Sequence, residues 1–197
     1  MKSLVTTILL ALFAFTGTVE AQNQNFTLLD KSTMQIDGTS TIHDWTADVN
    51  DFSTSISMNS DSMETENPSN FVDSFSLTVP VDGIKSGKGG MDRKIYGALK
   101  QDDYPTIRFT LISVDASGQA SESAVTMNAT GELEVAGVAR EITLPVESMI
   151  AEDGSIKFTG NYEMNMKDYN VDPPSAVFGT IKSGEKVTIS FELFFAN

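Results

Sequence analysis

The chain of 197 residues contains no cysteine. Disulfides, thiolate metal sites and lipid attachment through cysteine are therefore excluded, and the fold rests on its core alone. With one histidine, the other metal donors are carboxylates and carbonyls, and no EF-hand spacing occurs; no metal site is expected. Positive charge is scarce: Lys+Arg is 13 against Asp+Glu 27, a formal net of −14. That balance points away from nucleic acid and anionic membrane surfaces. The acids are dispersed in apparent turns (Asp61, Glu64, Glu66, Asp102, Asp103, Glu152, Asp153), where they serve solubility. Four tyrosines and one tryptophan are few for the aromatic girdles of an outer-membrane barrel. Long apolar runs are missing too, apart from residues 4–15, which are short for a bilayer crossing.

That run follows Lys2 and precedes Val19-Glu20-Ala21, with small residues where a signal peptidase reads. Residues 1–21 are expected to be a cleavable secretory signal. Residues 22–197 are expected to form one domain, placed in the periplasm or outside the cell.

What the chain has in abundance is alternation. Period-two runs occur at 26–36, 41–49, 52–58, 75–81, 107–111, 125–135, 142–146, 156–166 and 187–195. Ser117-Gly118-Gln119, Ala136-Gly137 and Asp153-Gly154 supply turns, residues 59–70 read as a polar surface loop, and Asp172-Pro173-Pro174 breaks the pattern. Pro80 suggests an edge or a bulge. Eight or nine strands with short connections predict an all-β fold: a lipocalin-like antiparallel barrel of eight strands.

One stretch departs from that period. Met91, Ile95 and Leu99 recur every four residues, which predicts a short helix over 91–100, preceded by two glycines and stopped by Tyr104-Pro105. Inserted between strands, it is expected to close or gate one end of the barrel.

The polar alternates (Ser76, Thr78, Thr126, Glu132, Glu134, Thr143, Glu163, Glu192) are water-facing, so the apolar faces point inward. A barrel of this size holds packed side chains or one small ligand. Long strands, with Gly131 and Gly160 leaving room, favour a cavity lined by Phe75, Leu77, Val79, Phe109, Leu111, Met127, Leu133, Leu144, Phe158, Tyr162, Met164 and Phe191. Such a wall suits a flexible apolar lipid. Leu133→Arg or Phe158→Asp is then expected to expel the ligand from a folded barrel. His43, Trp45, Tyr96 and Tyr104 are candidates for the mouth and a ligand headgroup. His43 and Asp44 would alternate across a strand, so no nucleophile, base and orienting group converge, and no catalytic residue is expected.

The order of these pieces resembles the YceI-like family of lipid- and polyisoprenoid-binding proteins. The resemblance rests on Val81-Asp82-Gly83-Ile84, Met91-Asp92, Tyr104-Pro105-Thr106-Ile107-Arg108-Phe109 and the hairpin from Gly131-Glu132-Leu133 to Gly137-Val138. It implies a periplasmic binding protein, not an enzyme, that sequesters or carries a polyisoprenoid or an isoprenoid quinone. No cofactor other than such a bound lipid is implied. The chain departs from the family at Thr41-Ile42-His43-Asp44, where relatives carry an Asp-x-x-His-Ser motif, and at Arg93-Lys94-Ile95, where relatives often have a histidine. Partners reduce to an apolar lipid, with transient membrane contact open and either a monomer or a homodimer compatible. The alternatives are a filled barrel serving as an interaction module and an outer-membrane barrel.

Overall fold

Alternating side chains become strands, and the strands close into a ring. The computed structural model describes residues 23–59, 71–115, 124–176 and 179–196. The first strand is interrupted, as β1 (Asn23–Asn25), β2 (Thr27–Leu28) and β3 (Thr33–Ser40). So is the second, as β4 (Trp45–Val49) and β5 (Ser53–Asn59). Then come β6 (Val72–Pro80), the short β7 (Ile84–Lys85), α1 (Gly89–Ala98), β8 (Thr106–Asp115), β9 (Ala124–Val135), β10 (Val138–Ile150) and β11 (Ile156–Asn165). A two-residue β12 (Ser175–Ala176) and the long β13 (Ile181–Ala196) complete the chain.

Each strand is antiparallel to the next: β5 with β6, β6 with β8, β8 with β9, and so on through β10 and β11 to β13. The first strand joins the two ends. Its β2 and β3 parts pair with β13, while its β1 and β3 parts pair with β5 and β4. Treating each interrupted strand as one, the ring has eight members in chain order. The expected lipocalin-like barrel is therefore present.

Several local expectations need correction. The first strand breaks at residues 29–32, and the second begins only at Trp45, because residues 41–44 form a turn. Pro80 is not in a bulge but at a local edge: it pairs with Thr106 at the end of β6, beyond the last β5 partner at Thr78. Its missing N–H therefore falls where no β5 residue waits for it. The register shifts lie elsewhere: at the start of β6, where Asp73 is skipped opposite β5, in β13 between Ser183 and Val187, and in β8 between Leu111 and Ser113, where Ile112 turns outward. Ala136 and Gly137, both at positive φ, make the tight β9–β10 turn. The turn expected at Ser117-Gly118-Gln119, the loop at 60–70 and the signal at 1–21 lie outside the described residues.

The helix starts two residues earlier than expected, so Gly89 and Gly90 are inside it. It ends at Ala98, well before Pro105. Lys100 takes the left-handed conformation at φ 55°, Gln101 N–H reaches back to the Tyr96 carbonyl, and Lys100 N–H to that of Gly97. This is a Schellman ending built without glycine.

Asp92 anchors the helix, accepting from Ser86 Oγ at 2.6 Å and Ser86 N–H at 2.8 Å. These two bonds, the hydroxyl's first, hold its carboxyl below the usual carboxylate range. A lowered folded pKa stabilises fully above the ordinary value of about 3.9 and is lost as pH falls through the folded value. Helix amides should accordingly lose hydrogen-exchange protection as pH falls through and below the ordinary carboxylate range. Asp92→Asn should reproduce much of that loss at neutral pH; unchanged protection there would show that the helix is held by its apolar face alone.

Candidate functional site

Inward-facing apolar side chains leave an elongated cavity of about 230 Å³ along the barrel, and no polar atom of the wall faces it. Phe75, Leu77 and Val79 reach it from β6, Phe109 and Leu111 from β8, and Met127 and Leu133 from β9. Leu144 lines it from β10, Phe158, Tyr162 and Met164 from β11, and Phe191 from β13. The alternation that places these residues on one face is what brings them together.

The wall has parts that the sequence reading did not include. Met34 and Ile36 of β3 and Ala47 and Val49 of β4 line it, although their alternation was legible in the chain. So do Ile95 and Ala98 of α1 with Leu99 capping its end, and Met166, Val171 and Pro174 from the β11–β13 connection. The helix stripe at Ile95 and Leu99 is therefore the floor of the cavity, which agrees with a helix closing one end. At the opposite end, phenylalanines form a plug. Phe71 lies 6.2 Å from Phe158, Phe158 lies 5.9 Å from Phe195, and Phe75 lies 6.4 Å from Phe195, ring centre to ring centre.

Glycines in the wall do not make space, contrary to expectation. A Cβ on Gly131 would stand 2.3 Å from the Phe109 ring, and one on Gly160 would stand 2.7 Å from the Phe191 ring. Gly38 carries the Trp45 ring in the same way, at 2.3 Å. Each glycine lets an aromatic ring of a neighbouring strand lie flat on the backbone, so the rings occupy the volume that a side chain would have taken.

Of the four headgroup candidates, one lines the cavity. Trp45 does so, with its indole N–H donating to the Thr39 carbonyl at 3.0 Å and to Ser183 Oγ at 3.3 Å. His43 is exposed in the 41–44 turn, where its Nδ1 meets the Asp44 carbonyl at 2.8 Å and the Ser40 hydroxyl donates to the His43 carbonyl at 2.6 Å. The local hydrogen bonds of that turn hold both residues away from the wall. Tyr96 fastens α1 to β7: its hydroxyl donates to the Ile84 carbonyl at 3.0 Å and accepts from Lys85 Nζ at 2.8 Å. That last bond raises the lysine's pKa. Tyr104 lays its ring on the backbone of Gly137, latching the β9–β10 turn. Neither tyrosine borders the cavity.

The outer face is polar, carrying Thr126, Glu132, Thr143 and Glu163, so the apolar outer band of a membrane barrel is missing from the described residues. No helix among the described residues is long and apolar enough to cross a membrane. Among those residues no cluster of His, Asp and Glu is placed to hold a metal ion.

Comparison with known proteins bears on fold and family. A family model described as the YceI-like domain matches residues 14–195. The structure of BcnA from Burkholderia cenocepacia superposes with a TM-score of 0.66 at 19% identity, covering 85% of this chain and 97% of that one. A polyisoprenoid binding domain from Saccharophagus degradans, implicated in plant cell wall breakdown, superposes at 0.62 and 14% identity, covering 86% and 97%. A YCEI protein from Campylobacter jejuni gives 0.57 at 18% identity, covering 77% and 83%. No curated protein matches the chain.

Proposed function

The chain belongs to the YceI-like domain family, and from that premise we propose that it is a non-enzymatic binding protein that houses a long apolar lipid in its barrel. The carrying observation is the cavity of about 230 Å³ with a wall that turns no polar atom toward it. A polyisoprenoid or the tail of an isoprenoid quinone is the ligand this wall fits, and the Saccharophagus degradans domain, named for polyisoprenoid binding, supports that choice. Burial contributes about 0.8 kcal/mol per methylene, hence about 4 kcal/mol for each five-carbon unit.

The cavity is smaller than the roughly 300–1,000 Å³ of common ligand pockets. A long chain enters by displacing the flexible thioethers of Met127, Met164 and Met166, all in the wall. The signal-like residues 1–21 support export to the periplasm, where a lipid must cross water between membranes.

Native mass spectrometry of protein purified without detergent tests this reading. A discrete added mass that extracts into organic solvent as a prenyl lipid or quinone is the expected result. A bare protein mass that stays bare when prenyl lipids are offered would overturn it in favour of a filled interaction module.

A further inference from the structure

The cavity wall is apolar, yet it is not inert. Four thioethers line it, those of Met34, Met127, Met164 and Met166. Trp45 and Tyr162 are the other described wall side chains that carry an atom besides carbon and hydrogen. The chain has no cysteine, and its one histidine sits in the exposed 41–44 turn. A thioether keeps its sulfur lone pair at every pH, and the reaction open to it is oxidation to the sulfoxide. Sulfur is the oxidisable nucleophile that a molecule inside this barrel meets.

Burial separates these sulfurs from the surrounding water while the cavity keeps them open to its contents. Met127 is 2% exposed, Met166 5%, and Met34 and Met164 7% each. They serve both halves of the barrel. Met127 packs in the cluster of Phe158 and Phe195 at the plug, and the other three in the cluster of Ile95 and Leu99 at the helix floor. The remaining described methionines supply a contrast. Met58 is fully buried but outside the wall, and Met91 and Met149 are half-buried and also outside it.

An isoprenoid carries a double bond in every unit, and its allylic C–H groups take up oxygen to give hydroperoxides. We propose that the wall methionines reduce a lipid hydroperoxide brought into the barrel to the corresponding alcohol. The sulfur lone pair attacks the distal peroxide oxygen, so an S=O bond forms and the O–O bond breaks. The proton of the distal oxygen passes to the inner oxygen, which stays on the lipid as the alcohol. Sulfur loses two electrons and the peroxide gains them. A hydroperoxide held against the wall meets sulfur as in a unimolecular reaction, without the entropy of encounter. Thioethers in both halves of the barrel suit a chain that is oxidised at any of its units. The reaction consumes one thioether per peroxide and leaves a polar sulfoxide in the wall. This inference rests on the carrier reading above and adds an activity to it.

The test offers the wild-type protein squalene monohydroperoxide and, separately, hydrogen peroxide, and locates the added oxygen by peptide mass spectrometry. Binding of the parent hydrocarbon squalene is read from the emission of Trp45, the one tryptophan of the chain and a wall residue. With the lipid hydroperoxide, the four wall methionines should be oxidised at least about tenfold more than Met58, Met91 or Met149, and squalene alcohol should appear in matching amount. Hydrogen peroxide, arriving from water, should favour Met91 and Met149 instead. The same pattern with both oxidants, or hydroperoxide recovered intact from protein that binds squalene, would overturn the reduction while leaving the carrier standing. Failure of squalene to bind would overturn the carrier reading and this activity with it.

Discussion

Phe158→Asp should leave the chain unfolded, while Phe158→Leu folds with a lowered Tm. Phe158 is 6% exposed, 6.2 Å from Phe71 and 5.9 Å from Phe195, which is itself fully buried. Removing a buried ring costs about 3–5 kcal/mol. A domain's whole stability is about 5–15 kcal/mol. The introduced carboxylate meets phenylalanine and aliphatic neighbours, with the uncharged hydroxyl of its cross-strand partner Ser148 beside it and no cation among the described residues, so it adds a desolvation cost or takes up a proton. Far-UV circular dichroism and a thermal melt decide the matter: a cooperative melt of the Asp variant within about 5 °C of the parent would show that the plug contributes little. The sequence reading expected this substitution to empty a folded barrel. Phe158 borders the cavity, but its aromatic neighbours make it a folding residue first.

The second large effect is expected from filling the cavity without introducing charge. Leu77, Phe109 and Leu133 stand side by side on β6, β8 and β9, and all three are wall residues. Replacing both leucines, as Leu77→Trp with Leu133→Trp, places two indoles in the same cross-section. Overpacking of this kind costs about 1–3 kcal/mol per site, and the rims of these strands offer relief. Lipid recovered from the purified variant should fall at least about tenfold, since the lost burial of two methylenes already accounts for that factor. Full lipid content in a cooperatively melting variant would place the ligand outside the barrel.

Much of this fold was legible because a period of two needs only local information. The inward set from Phe75 to Phe191 is a list of alternate residues, and it lines one cavity. What escaped the sequence reading depends on partners distant in the chain. Gly131 and Gly160 look like vacancies until Phe109 and Phe191, on neighbouring strands, are seen lying on them. The helix end escaped because Lys100 occupies a conformation usually marked by glycine, which made Pro105 appear to be the stop. Tyr96 and Tyr104 carry the polar tip expected at a mouth, yet their partners, Ile84 and Gly137, turn them into fasteners.

The ring is sealed between the two extremes of the chain, Leu28 against Phe195 and Thr27 against Ala196. Nearly the whole polypeptide separates these pairs, so closing them carries the largest loop entropy in the molecule. A chain that emerges N-terminus first cannot make this seam until its last strand has appeared. Until then β2 and β3 lack their β13 partner, and the growing sheet remains an open ribbon with its apolar face toward solvent. Completion therefore comes as one late, slow event, on the millisecond-to-second scale of folds dominated by distant pairings. A lipid already lying along the inner face at that moment would be enclosed by the seam itself, without passing through either end.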